Sequence, residues 1–165
     1  MSRAFVREGD GDDQPPALRI PSNAVNYVTP RGLDLLRAAV RQWSELRDRH
    51  QGLDDLESQS ALKEADRELA YYLERLRTAV LVEPVANPKG QVRFGSKVKV
   101  MDDQGDRFEV VLVGEDEADV HSGLISYVAP LAKALMGGHV GDEVVWERPL
   151  GKVQIEILSV DGVSD

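Results

Sequence analysis

Apolar residues recur at every third or fourth position through the first half of this chain, and at every second position through much of the rest. Leu33, Leu36, Val40 and Trp43 follow at spacings of three, four and three, which places them on one stripe of a helix running to about Arg49. Thr29-Pro30 opens it: the threonine caps N–H groups that lack a helical partner, and proline at the first helical position gives up a donor that is idle there. Gly52 interrupts the pattern, which resumes with Leu62, Ala65, Leu69, Tyr72, Leu76 and Ala79 behind Ser58 as the predicted cap. Two heptad-patterned helices around a short loop predict an antiparallel helical hairpin, a coiled coil with Arg41, Glu45, Lys63, Glu64, Arg67 and Glu68 facing solvent.

Pro84, Asn87, Pro88 and Gly90 mark a linker, after which the period drops to two. Val92, Phe94, Val98 and Val100 alternate up to the turn Asp102-Asp103-Gln104-Gly105, and Phe108, Val110 and Leu112 alternate beyond it, so these segments predict a β-hairpin. Leu124 to Val128 is a further apolar run, and Pro130 to Met136 predicts a short helix stopped by Gly137-Gly138. Glu143 to Arg148 and Lys152 to Val160 predict a last hairpin across Pro149-Leu150-Gly151. Short strands around one short helix suggest a small twisted antiparallel sheet wrapped on that helix. The fold class is α+β, divided into an acidic tail (1–26), the helical hairpin (27–83), a linker (84–90) and the sheet domain (91–165). The tail combines Gly9, Gly11, Pro15, Pro16 and Pro21 with Glu8, Asp10, Asp12 and Asp13; it has too little apolar surface to offset its ordering entropy, and disorder is expected.

Composition narrows the function. The net charge of −9 argues against a general duplex-DNA binder, which needs cations to replace the phosphate counterions. The chain has no cysteine, which excludes disulfides, thiolate metal sites and a cysteine nucleophile. No apolar run is long enough to span a bilayer, and the opening MSRAFVREGDGDDQPP has no signal-peptide core, so a cytoplasmic protein is expected. His50, His121 and His139 are dispersed among loops without metal-ligand spacing, and neither GxxxxGK nor GxSxG occurs. Catalysis by this chain alone is not expected. Two acidic stretches stand out instead: RDRHQGLDDLESQS (47–60) at the bend of the hairpin and GEDEAD (114–119) before the short helix. Either is also what a solvated turn looks like, and acids ahead of a helix suit its dipole.

The chain resembles the GreA/GreB family of bacterial transcription elongation factors. The likeness is carried by Thr29, Arg31 and Gly32, by Phe94-Gly95, by GEDEAD, by ISYVAPLAKAL (125–135), by Val140-Gly141-Asp142 and by the final hairpin, and it spans almost everything after residue 27. The resemblance implies an FKBP-like C-terminal domain that docks on the rim of the secondary channel of RNA polymerase, with Asp116, Glu117, Asp119, Pro130 and Lys133 on the docking surface. It implies that the coiled coil enters the channel and that acids at its tip help to hold a Mg²⁺ shared with the polymerase active centre. The polymerase, not the factor, then cleaves backtracked RNA. No cofactor of its own, no membrane partner and a monomeric state are expected. Oxygen donors suit Mg²⁺, and a two-metal site stabilises both the attacking water and the leaving oxygen.

Three departures from the family pattern matter. Ala129 stands where a serine commonly precedes the proline, and the tip motif G-D-x-x-E-N is missing. The hairpin is also shorter than the family form by about one heptad per helix, on the order of 10 Å of reach. Asp54, Asp55 and Glu57 are the candidate substitute tip. Asp48, Arg47 and Arg49 are read as solvated flanks, with the arginines as an alternative contact for the RNA 3′ end. A non-cleaving regulator that competes with other channel-binding factors therefore stays open beside cleavage stimulation. An FKBP-type peptidyl-prolyl isomerase is the alternative from a different class, although aromatic residues make up only 5% of the chain. A scaffold that binds clients through the hairpin is a third.

Overall fold

The computed structural model describes residues 19–164, and these form two compact units. One is Asn26–Glu83; the other is Pro84–Asp165 together with the stretch leading to Val25. Among the described residues no helix is long and apolar enough to cross a membrane.

The first unit is the helical hairpin. Helix α1 spans Pro30–His50 and α2 spans Leu56–Thr78. Thr29 caps α1 by accepting from the Gly32 N–H at 2.9 Å. The inward stripe is Leu36 on α1 facing Ala65 and Leu69 on α2, all buried, and Val40, Trp43, Leu62, Tyr72 and Leu76 extend it half-buried. Glu68 departs from the expected solvent face: its side chain is only 12% exposed.

The base of the hairpin carries structure that periodicity does not reveal. Strand β1 (Tyr27–Val28) pairs in parallel with β2 (Val80–Leu81). Beside this pair Asn26 and Arg75 are buried, at 7% and 5% exposure. The Arg75 guanidinium donates to the Asn26 carboxamide oxygen at 2.8 Å, and the Asn26 amide donates back to the Arg75 carbonyl at 2.8 Å and to Thr78 Oγ1 at 3.2 Å. The tail expected to extend to residue 26 is thus ordered at its end, because Asn26 satisfies a buried cation. Upstream, Ser22 bonds the Glu115 carboxylate and Val25 C=O accepts from the Tyr127 hydroxyl. The expectation for residues 1–18 lies outside the described residues.

The second unit is a six-stranded sheet in the order β5-β4-β3-β7-β6, with β8 pairing to β7. Strands β3 (Lys97–Asp102) and β4 (Arg107–Val113) form the predicted hairpin, and β6 (Glu143–Arg148) and β7 (Gly151–Val160) form the last one. β5 is Leu124–Ser126 and β8 is Val163–Ser164. Helix α3 (Pro130–Leu135) buries Leu131, Ala132 and Leu135 in a core with Val98, Val100, Val110, Leu112, Ile155 and Ile157.

Two expectations are corrected here. The sheet is mixed, because β5 runs parallel to β4: segment 114–123 carries the chain back past β4 before it pairs. The first strand starts at Lys97, not at Val92. Gly95 at φ +85 and the Arg93–Ser96 turn break the extended run, and Val92 instead exchanges backbone hydrogen bonds of 2.8 Å with Gly137 and Gly138 after α3.

Candidate functional site

The hairpin tip is the first candidate. Helix α1 ends at His50, with Arg47, Arg49 and His50 in its last turn, where cations suit the negative end of the helix dipole. Gly52 at φ +82 reverses the chain, a conformation that costs a residue with a Cβ about 1–2 kcal/mol. The cap of α2 is Asp55, not Ser58: one Asp55 carboxylate oxygen accepts from the Ser58 N–H at 2.8 Å. Ser58 sits one turn into the helix, buried, with its hydroxyl 3.2 Å from His50 Nδ1. His50 is therefore part of a helix end rather than of a loop. The spacing Asp55-x-x-Ser58 was the available signal for this cap; the competing Asp54-x-x-Glu57 looks equally good in sequence.

The Ser58 backbone N–H, followed by the Ser58 hydroxyl, holds the Asp55 carboxyl below the ordinary carboxylate range. Its contribution to stability is complete above the unfolded value and is lost as pH falls through the lower folded value. Asp55→Ala should lower the melting temperature by a few degrees at neutral pH. Asp55→Asn, which also caps, should melt close to the wild type there, but with a smaller loss in acid, since Asp119 still titrates. Circular dichroism melts across the acid range read both, and an equally acid-labile Asn variant would refute the cap.

Capping leaves Asp54 and Glu57 as the uncommitted acids. Both are exposed, and neither carboxylate makes a hydrogen bond or ion pair among the described residues. Leu53 and Leu56 flank them at 50% and 84% exposure. Arg47 is held by Asp66 of α2 at 2.9 Å, whereas the equally exposed Arg49 makes no ion pair among the described residues. Among the described residues no three His, Asp or Glu side chains gather as a metal site. Asp54 and Glu57 offer hard oxygen donors of the kind that Mg²⁺ takes.

The second candidate is the surface around residues 114–133, where the predicted acids differ in fate. Glu117 is buried at 8% exposure, so it is not an open contact. Asp116 is half-buried. Asp119 is exposed but engaged: it accepts from the Ser122 hydroxyl at 2.8 Å and from the His121 N–H at 3.2 Å, which lowers its pKa. Its backbone also exchanges hydrogen bonds of 2.9 and 3.0 Å with Leu124, which starts β5. Pro130 and Lys133 are exposed on α3. Ala129 occupies the N-cap without a side-chain hydrogen bond, as its methyl group dictates.

Gly123 is a residue of this site that the sequence did not single out. It sits at φ +75 over the backbone of β4, and a Cβ there would lie 2.9 Å from the Glu109 carbonyl oxygen. Phe94 and Tyr127 lie in turns rather than strands and meet edge to face at 5.4 Å; Phe108 and Trp146 form a separate tilted pair at 6.5 Å.

Residues 87–162 match the family profile described as transcription elongation factor GreA/GreB, C-terminal. The transcription elongation factor GreB of Neisseria meningitidis serogroup B is 35% identical over 152 residues, covering 82% of this chain and 93% of that protein. The chain belongs to the GreA/GreB family. A second GreA/GreB relative, the transcription elongation factor GreA of Helicobacter hepaticus, is 43% identical over 86 residues, covering 52% of this chain and 53% of its own. Among solved structures, Gfh1 of Thermus aquaticus is 27% identical and covers 82% of this GreA/GreB-family chain and 97% of its own, with a TM-score of 0.42.

Proposed function

We propose that this chain is a transcription elongation factor that acts with RNA polymerase, as a monomer, by placing its helical hairpin in the polymerase secondary channel. The observation that carries this reading is the hairpin itself: in a member of the GreA/GreB family, two antiparallel helices lead to a bend whose exposed groups are Asp54, Glu57 and Arg49 with Leu53 and Leu56. The C-terminal unit docks on the channel rim, with Pro130, Lys133 and Asp116 as contacts. Asp119 shapes that surface by holding the turn before β5, and buried Glu117 supports it from within. At the tip, Asp54 and Glu57 contribute oxygen ligands to a Mg²⁺ of the polymerase active centre, and Arg49 meets the RNA 3′ end. Bound there, Mg²⁺ supplies charge stabilisation for hydrolysis of a phosphodiester bond. This chain's own part is to position donors and exclude water; the polymerase carries the chemistry.

A second reading is favoured by one observation. Asp55 is spent on the α2 cap, which leaves fewer acids at a tip whose α1 helix of 21 residues is about 30 Å long. On that reading the factor occupies the channel and competes with longer relatives without stimulating cleavage. A backtracked elongation complex with labelled RNA separates the two. The wild type is expected to release a short 3′ fragment and the Asp54→Asn, Glu57→Gln double variant to release at least tenfold less, with Asp55 left intact to keep the helix capped. Polymerase binding and displacement of a longer relative, without cleavage by either protein, establishes the competitor. Absence of polymerase binding overturns both readings.

A further inference from the structure

The open face of the C-terminal sheet carries a cationic groove that neither the tip nor the docking surface uses. Alternation along β3 buries Val98 and Val100 and turns Lys97 and Lys99 outward. Arg107 and Glu109 of β4 share that outer face, opposite Met101 and Lys99 respectively. Lys99 and Arg107 are therefore diagonal neighbours, a relation that spans about 7–8 Å in an antiparallel pair. The register partner of Lys99 is Glu109, but Lys97 takes that carboxylate at 3.2 Å. Among the described residues Lys99 and Arg107 are left without a hydrogen bond or ion pair, in a chain whose net charge is −9.

These cations line a cavity of about 520 Å³ together with Phe108, Leu158, Ser159, Gly162 and Ser164, and with Glu109, whose charge is paired to Lys97. Its volume falls among those of small-molecule sites, typically about 300–1,000 Å³. A smaller hollow of about 190 Å³ lined by Lys97, Lys99, Glu109 and Ser159 continues it. The acid at the nearby β7–β8 turn, Asp161, is occupied: it accepts from the Lys97 N–H at 2.8 Å, the Asn87 amide at 2.8 Å and the Ser96 hydroxyl at 3.2 Å. That carboxylate holds the turn and is not part of the cavity lining.

We propose that this groove binds a small polyphosphate-bearing ligand, with Lys99 and Arg107 on its phosphates and Ser159 and Ser164 as hydroxyl donors. Two linked phosphates reach both, and a phosphate fits the planar donor fork of arginine. Leu158 gives the groove an apolar wall, which suits a ligand with an organic body.

The test uses the full chain, titrated at low salt with inorganic tripolyphosphate and, separately, with a nucleoside triphosphate, and followed by calorimetry. The comparison is between a Lys99→Gln, Arg107→Gln variant and an Arg41→Gln, Lys63→Gln variant, which removes the same charge from the hairpin. Binding of either probe is expected to weaken at least tenfold in the first variant and to stay unchanged in the second, with the same melting temperature in both. Tighter binding of the nucleoside triphosphate assigns the apolar wall to the ligand's organic body; equal binding assigns the site to the phosphates alone. No binding of either probe, equal loss in both variants, or no loss in the groove variant overturns the proposal. Polymerase is absent from the assay, so its outcome is independent of the elongation-factor reading.

Discussion

Asn26→Leu is expected to destabilise the helical hairpin by about 2–3 kcal/mol, because it strips a buried guanidinium of a hydrogen-bonded partner. Asn26 meets Arg75 in both directions, accepting from the side chain and donating to the carbonyl, each at 2.8 Å. Leucine fills a similar volume but offers neither group, so the Arg75 charge stays buried with one fewer acceptor. The change also removes a donor from Thr78 at the end of α2. The β1–β2 pair depends on the same corner, since the Val80 N–H donates to the Asn26 carbonyl at 2.8 Å. For a unit of this size the loss corresponds to roughly 10–20 °C in melting temperature. Thermal unfolding followed at a helical wavelength measures it, and a variant that melts with the wild type would show that the buried pair contributes nothing. Arg75→Leu in the same background completes a double-mutant cycle. If the two groups stabilise mainly by satisfying each other, removing both should cost less than the sum of the single losses.

Gly123→Ala is the second large effect, expected at about 2–3 kcal/mol. Roughly 1–2 kcal/mol follows from the left-handed backbone at φ +75, and the remainder from the new Cβ, 2.9 Å from the Glu109 carbonyl oxygen. That oxygen belongs to a central stretch of β4, so it cannot move aside as a flexible side chain would. Gly105→Ala is the matched control, with φ +83 and nothing within 4 Å of its Cβ, so only the backbone cost applies. The difference between the two variants isolates the collision. Gly123→Ala should also weaken polymerase binding, because it shifts the Asp119–Leu124 bridge that holds the acidic turn against the sheet. Equal destabilisation by the two variants, with polymerase binding intact, would remove Gly123 from the account of the docking surface.

Sequence alone determined the elements whose patterns are local. The three- and four-residue spacing of Leu33, Leu36, Val40 and Trp43, and of Leu62, Ala65, Leu69 and Tyr72, required two amphipathic helices, because only that period puts each set on one stripe. Alternation along Val98–Val100 and Val110–Leu112 required strands with one buried face, and Pro130 required a helix start. The family resemblance, which spans almost everything after residue 27, lay in short local motifs such as GEDEAD and ISYVAPLAKAL, read in order.

What depends on residues far apart in the chain was decided only by the tertiary structure. Asn26 and Arg75 are 49 positions apart, and nothing in either neighbourhood predicts that one satisfies the other. The parallel pairing of β5 with β4 follows from how segment 114–123 packs, not from a strand propensity. The choice of Asp55 over Asp54 and Ser58 as the α2 cap was set by where the Gly52 reversal leaves the chain, and it fixed which acids remain at the tip. Glu117 and Asp119, two letters apart in one acidic run, became a buried group and an exposed cap because the fold covers one and not the other. The cations of the groove are visible in the sequence, but their lack of partners is not: it arises because Glu109, the register partner of Lys99, pairs with Lys97 instead and leaves Lys99 beside Arg107. Local periodicity is encoded by neighbours along the chain, whereas charge pairing and burial are settled by neighbours in space.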